Sequence, residues 1–221
     1  MKYIEKGEEP SSFTGWKAQK NENWEPTWDN LQAPQKPELH EALLFEQGYI
    51  CCYCGMRISK TNSHIEHLKP RSHFPELALD YNNLLSSCPG EGDEKIQSEA
   101  TKLKHLHCGV GKDDWYDPTL MVSPLAPNCT DYFSYTAFGE ILAATDLTLN
   151  AAALETIKRL RLDHSKLTLI RRRAIEAIIP LDDDYTQEEI ETLIESYSQR
   201  NEKGEFVRFY AAVIYILKQL I

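Results

Sequence analysis

Between Ser63 and Pro70 the chain reads Ser-His-Ile-Glu-His-Leu-Lys-Pro, and on either side of this run lie Cys51-x-x-Cys54 and the pair Cys88 and Cys108. Each group suggests its own chemistry. Hydrolysis of a phosphodiester needs a base that is neutral near pH 7 and a divalent cation that offsets charge at the phosphate and the leaving oxygen. His67 supplies an imidazole of the right basicity, and Glu66 is a natural ligand for a hard ion such as Mg2+ or Mn2+. The cysteines suggest zinc. A Cys-x-x-Cys turn offers half of a tetrahedral thiolate site, Cys88 and Cys108 can complete it, and four thiolates leave no open position, so such a zinc is structural. Cys108 follows Cys88 after 19 intervening residues, and its neighbour His107 is a rival ligand. Cys52 and Cys129 read as ordinary buried cysteines.

These residues need elements to hold them. Pro37–Gln47 reads as a short helix with Leu39, Leu43 and Leu44 inward, stopped by Gly48. Tyr49–Arg57 then forms a knuckle turn, His64–Leu68 a strand, and Leu77–Leu85 a second strand. Asp93–His107 is a polar insertion. A hairpin over Asp131–Ala143 turns near Gly139. Helices follow over Leu149–Leu160 and Ser165–Ile179, the latter ended by Pro180. Thr186 and Glu189 form a capping box that opens another helix, and Glu205–Ile221 gives a last apolar one. The expected fold is α+β with three parts: an extended N-terminal arm over 1–37 holding Trp16, Trp24 and Trp28, a zinc-stabilised catalytic domain over 38–145, and a helical subdomain over 146–221.

Composition narrows the possibilities. The 221 residues are 42% hydrophobic, enough for a core, and no apolar run approaches the ~20 residues that cross a bilayer. The first residues lack an apolar leader segment, so a cytoplasmic location is expected, where metal binding explains clustered cysteines better than disulfides do. A net charge of −10 argues against broad electrostatic wrapping of nucleic acid. Grip on phosphates must come from local cations or from a partner. Lys69, Arg71, Lys102, Lys104 and Lys112 lie near the site in sequence and are either phosphate contacts or solvated charge. No βαβ pattern surrounds Cys51-x-x-Cys54, which speaks against redox chemistry.

Taken in order, Cys51-x-x-Cys54, Glu66-His67-Leu-Lys-Pro70, Asn83-Leu84, Cys88 and Cys108-Gly-Val-Gly-Lys112 resemble the HNH, or ββα-metal, nucleases. The resemblance implies His67 as general base, Glu66 as ligand of a catalytic Mg2+ or Mn2+, Asn83 as brace of the loop behind His67, and Lys112 near the substrate. Two positions differ from the pattern. The acid is Glu where Asp is commoner, and Gly109 stands where the family often has a metal-binding Asn or His. His64, His107, Asp113 or water are the candidates to replace that ligand. A narrower resemblance, spanning roughly residues 40–145 and continuing through Arg171-Arg-Arg173, is to the HNH subunits of Septu-type antiphage systems, which also occur with retrons. It implies an effector nuclease cutting DNA more readily than RNA, beside an ABC-type ATPase and in some systems a reverse transcriptase with its RNA–DNA product. The arm tryptophans and the last helix, with Phe206, Phe209, Tyr210, Val213, Ile214 and Leu217, would then be docking surfaces or self-packed. The competing expectation is a zinc-stabilised adaptor whose nuclease site has decayed.

Overall fold

The computed structural model describes residues 1–90, 106–179 and 185–221. Most of the expected polar insertion, including Lys102 and Lys104, and the Pro180 helix stop lie outside the described residues. The remainder is α+β: small two-stranded sheets set among helices, with a helical C-terminal region.

The centre is a strand–strand–helix unit. Strand β1 (His64–His67) pairs antiparallel with β2 (Leu84–Ser87), placing His64 opposite Ser87 and His67 opposite Leu84. A short helix, Cys108–Lys112, closes on them, its Gly109 N–H donating to Ser87 Oγ at 3.1 Å. The second strand begins later than its apolar pattern predicts. The Asp80 side chain accepts from Asn82 N–H and curls Tyr81–Asn83 into a 3-10 turn, which moves the start of pairing to Leu84.

Helix Gln35–Glu46 backs this sheet, with Leu39, Leu43 and Leu44 fully buried, each worth roughly 1.5–3 kcal/mol. It ends at Gly48, whose φ of +63° suits glycine. A Cβ there would also sit 2.3 Å from the Phe206 ring, so both conformation and space demand the small residue.

The N-terminal segment is not simply extended. Ser11–Lys17 is a helix whose Phe13 and Trp16 pack with Leu31, Leu39, Leu43, Tyr81 and Leu84 in a core of their own. Seven residues with two inward side chains show too little periodicity to be read beforehand.

A second hairpin, Phe133–Tyr135 with Ile141–Ala143, leads into helices Leu147–Leu160 and Ser165–Glu176. Arg171, fully buried, donates to the carbonyls of Gly139 at 2.6 Å and Leu162 at 3.0 Å and so ties the hairpin turn to the helical region. Helix Gln187–Ser198 starts on the Thr186–Glu189 capping box. The last helix spans only Tyr210–Lys218. Its expected first turn is drawn out instead, because Phe206 N–H bonds to Gly48 O, Phe209 N–H bonds to Gly55 O, and Phe209 adopts a φ of +55°. Phe209, Val213, Ile214 and Leu217 are buried in the main core, so this face packs on its own chain. Among the described residues, no helix is long and apolar enough to cross a membrane.

Candidate active site and zinc centre

Cys51 and Cys54 come from the turn between Ile50 and Arg57, Cys88 from the end of the second central strand, and Cys108 from the first residue of the closing helix. Their four sulfurs lie within 4.8 Å of one another and all are buried. Backbone N–H groups point at them: Cys88 N–H reaches Cys51 Sγ at 3.4 Å and Met56 N–H reaches Cys54 Sγ at 3.5 Å. Burial opposes a charge on Cys51, yet hydrogen bonds from Cys108, Cys52, Cys54 and Cys88 carry its thiol well below the ordinary range. Four buried sulfurs converging in this way are a donor set suited to zinc.

His107 takes another place. Its Nδ1 lies 3.2 Å from Cys108 Sγ and 3.8 Å from Cys88 Sγ, where an N–H can donate to both sulfurs from behind the cluster. Cys52 and Cys129 stand outside the tetrad, and burial pushes both thiols up.

The cysteine cluster anchors the Ser87 end of the strand pair that presents Glu66 and His67. Glu66 is nearly enclosed. Its Oε1 accepts from Tyr53 OH at 3.1 Å and lies 3.1 Å from Lys112 Nζ, while Oε2 lies 3.5 Å from His64 Nε2. Lys112, expected at the substrate, is buried, and its ammonium is engaged by Glu66 and by the Asp113 carbonyl at 3.2 Å. Tyr53 carries no signal in sequence that separates it from a core aromatic. Burial, reinforced by the Glu66 charge, holds its hydroxyl well above the usual range, so it serves as a donor.

His67 Nε2 sits 3.1 Å from the Ala78 carbonyl oxygen. A carbonyl only accepts, so Nε2 carries the hydrogen and Nδ1 keeps its lone pair. Burial lowers the imidazole to about 4, with the Ala78 carbonyl working against it and the nearby Arg71 with it. The ring is therefore neutral at pH 7. Trp28, from the N-terminal segment, meets it edge to face at a centroid distance of 4.4 Å, a contact the spacing of the tryptophans did not reveal. Asn83 Oδ1 accepts from Lys69 N–H at 2.8 Å and its Nδ2 donates to the carbonyls of Lys69 at 3.0 Å and Leu77 at 3.2 Å. Asn82 caps nothing comparable; it is exposed and bonds to Asp80.

Glu66 and His67 line one open cleft of about 550 Å3, together with Arg71, Gly109, Lys112, Asp113 and Asp114. A strand–strand–helix unit pinned by a cysteine tetrad, presenting an acid–histidine pair to an open cleft, is the scaffold of a metal-assisted nuclease. Residues 51–90 match the HNH endonuclease family, and this segment is an HNH endonuclease domain. The match takes in Cys51, Cys54, Glu66, His67, Asn83 and Cys88.

Two relatives come from retrons. The chain is 30% identical over 138 residues to the inferred HNH endonuclease of retron Vc95 from Vibrio cholerae serotype O1 biovar El Tor, covering 60% of this chain and 61% of that protein. It is 24% identical over 208 residues to the inferred HNH endonuclease of retron Ec83 from Escherichia coli, covering 79% of each. The chain is thus similar to HNH proteins of retrons, and it spans less than two thirds of the length of the first of them.

Proposed function

We propose that this protein is a divalent-metal-dependent endonuclease that hydrolyses phosphodiester bonds, with DNA preferred over RNA, and that it serves as the effector of an antiphage system. The observation that carries this reading is the placement of His67: its ring lines a cleft that also holds Glu66, with Nε2 3.1 Å from Ala78 O so that the lone pair is left on Nδ1, and burial keeps the imidazole neutral.

In this mechanism His67 Nδ1 takes the proton of the attacking water. Asn83 keeps the 69–77 loop in place, and with it the carbonyl that orients the ring. The Glu66 carboxylate, beside the His64 imidazole, is a donor set that fits Mg2+ or Mn2+. When bound, that ion supplies charge neutralisation at the phosphate and the leaving oxygen. Zinc at Cys51, Cys54, Cys88 and Cys108 holds the unit together without entering the chemistry.

The cleft itself is poor in cations. Arg71 and Lys112 face Glu66, Asp113 and Asp114, and Lys112 is already paired. Together with the net charge of −10, this supports a partner that supplies phosphate grip, for which an ABC-type ATPase is the proposed choice. The retron names of the relatives support association with a reverse transcriptase and its RNA–DNA product. The test is cleavage of DNA and RNA with Mg2+ or Mn2+, with and without the ATPase. His67→Ala should abolish cutting by whichever arrangement is active; cleavage undiminished in that variant overturns the assignment.

A further inference from the structure

Gly109 stands where an HNH-type helix is expected to offer a metal ligand, and its hydrogen side chain cannot. The structure shows what fills that space. A Cβ built on Gly109 would lie 2.4 Å from Glu66 Oε2 and 3.0 Å from His64 Nε2. The two side chains thus meet over the backbone of residue 109, and any larger residue there would collide with the carboxylate.

Three further features concern the same spot. His64 and Glu66 are two residues apart on one strand, so they project from the same face, and their Nε2 and Oε2 atoms are 3.5 Å apart. Donors each roughly 2.1 Å from a small divalent ion lie about 3.0 Å apart when adjacent in its shell and about 4.2 Å apart when opposite, so this spacing admits one ion between them. The other carboxylate oxygen is held by Tyr53 and Lys112, which aims Oε2 at His64. The His64 side chain is 37% exposed, leaving room for water to fill the remaining positions.

We propose that His64 is the second protein ligand of the catalytic divalent ion, replacing a ligand from position 109 with one from the strand that carries Glu66. Glycine at 109 is then the condition for this arrangement. The inference rests on the nuclease reading above, and the experiment separates the two.

The probe is Mn2+ alone, followed by electron paramagnetic resonance on the zinc-loaded protein, without nucleic acid. Wild type should bind Mn2+ with the nitrogen modulation of a directly bound imidazole. His67→Ala should keep that modulation. His64→Ala should lose it and bind Mn2+ at least about 10-fold more weakly, the loss that removal of even an outer-shell partner brings, with zinc content unchanged. Gly109→Ala should also weaken Mn2+ by displacing the carboxylate. If Mn2+ binding depends on Glu66 but neither its affinity nor its nitrogen signal changes in His64→Ala, the ligand assignment is overturned and the nuclease reading stands. Failure of wild type to bind Mn2+ at all overturns both. Should His64→Ala not fold, the wild-type spectrum decides: absence of a bound nitrogen rejects the assignment.

Discussion

The Asn83 carboxamide holds both main-chain groups of Lys69, accepting from its N–H at 2.8 Å and donating to its carbonyl at 3.0 Å, while a second donation reaches Leu77 O. One buried side chain thereby closes the loop whose Ala78 carbonyl orients His67. Asn83→Ala removes three hydrogen bonds and should cost about 1–3 kcal/mol in urea unfolding. It should lower kcat well below that of Asn82→Ala, because Asn82 is exposed and braces nothing. Equal kcat values for the two variants would remove Asn83 from the positioning role.

Zinc analysis of the purified protein should return one ion per chain. Cys52→Ala and Cys129→Ala should keep it, while Cys88→Ser or Cys108→Ser should lose it and melt at markedly lower temperature. Retention of full zinc in Cys108→Ser would move the fourth ligand to His107, whose Nδ1 is 3.2 Å from the Cys108 sulfur.

The ionisation of His67 can be followed by nitrogen-detected NMR of labelled imidazoles. Burial has lowered it to about 4, so the ring should stay neutral, with hydrogen on Nε2, throughout pH 5.5–8. The depressed folded value also has a thermodynamic sign. Below about 6.5 the unfolded chain takes up a proton that the folded chain does not, so this contribution to stability is present above that pH and declines as pH falls toward 4. A titration midpoint near 6.5 in the folded protein would contradict both statements.

Trp28 packs against the His67 ring in a T-shaped contact with ring centroids 4.4 Å apart. Its replacement by Ala should raise the His67 pKa toward the solvent value and reduce kcat by about 2–12-fold, the equivalent of the ~0.5–1.5 kcal/mol of an aromatic pair. The paired readout matters, since general destabilisation would lower activity without moving the imidazole titration.

Lys112 and Glu66 form an ion pair whose side chains are 2% and 9% exposed. Lys112→Met leaves the carboxylate without its cation and should destabilise the protein by about 3–5 kcal/mol. A divalent ion on Glu66 should restore part of that loss, so added Mn2+ should raise the melting temperature of the variant more than that of wild type. An equal increment would separate the ion from Glu66.

Much of the chemistry was legible from residue order alone. Thiolates spaced as Cys-x-x-Cys, an acid next to a histidine, and a capping box are local patterns, and the physics behind each acts within a few residues. The cysteine tetrad, the α+β class, the central strand and the Thr186 cap follow from them. What tertiary structure decided depends on contacts between segments far apart in the chain. Pairing of Lys112 with Glu66, cover of His67 by Trp28, and extension of residues 206–209 against Gly48 and Gly55 leave no periodic trace. Gly109 shows the division most sharply: its identity announces that a side chain is missing, but only the approach of Glu66 and His64 shows what occupies the space.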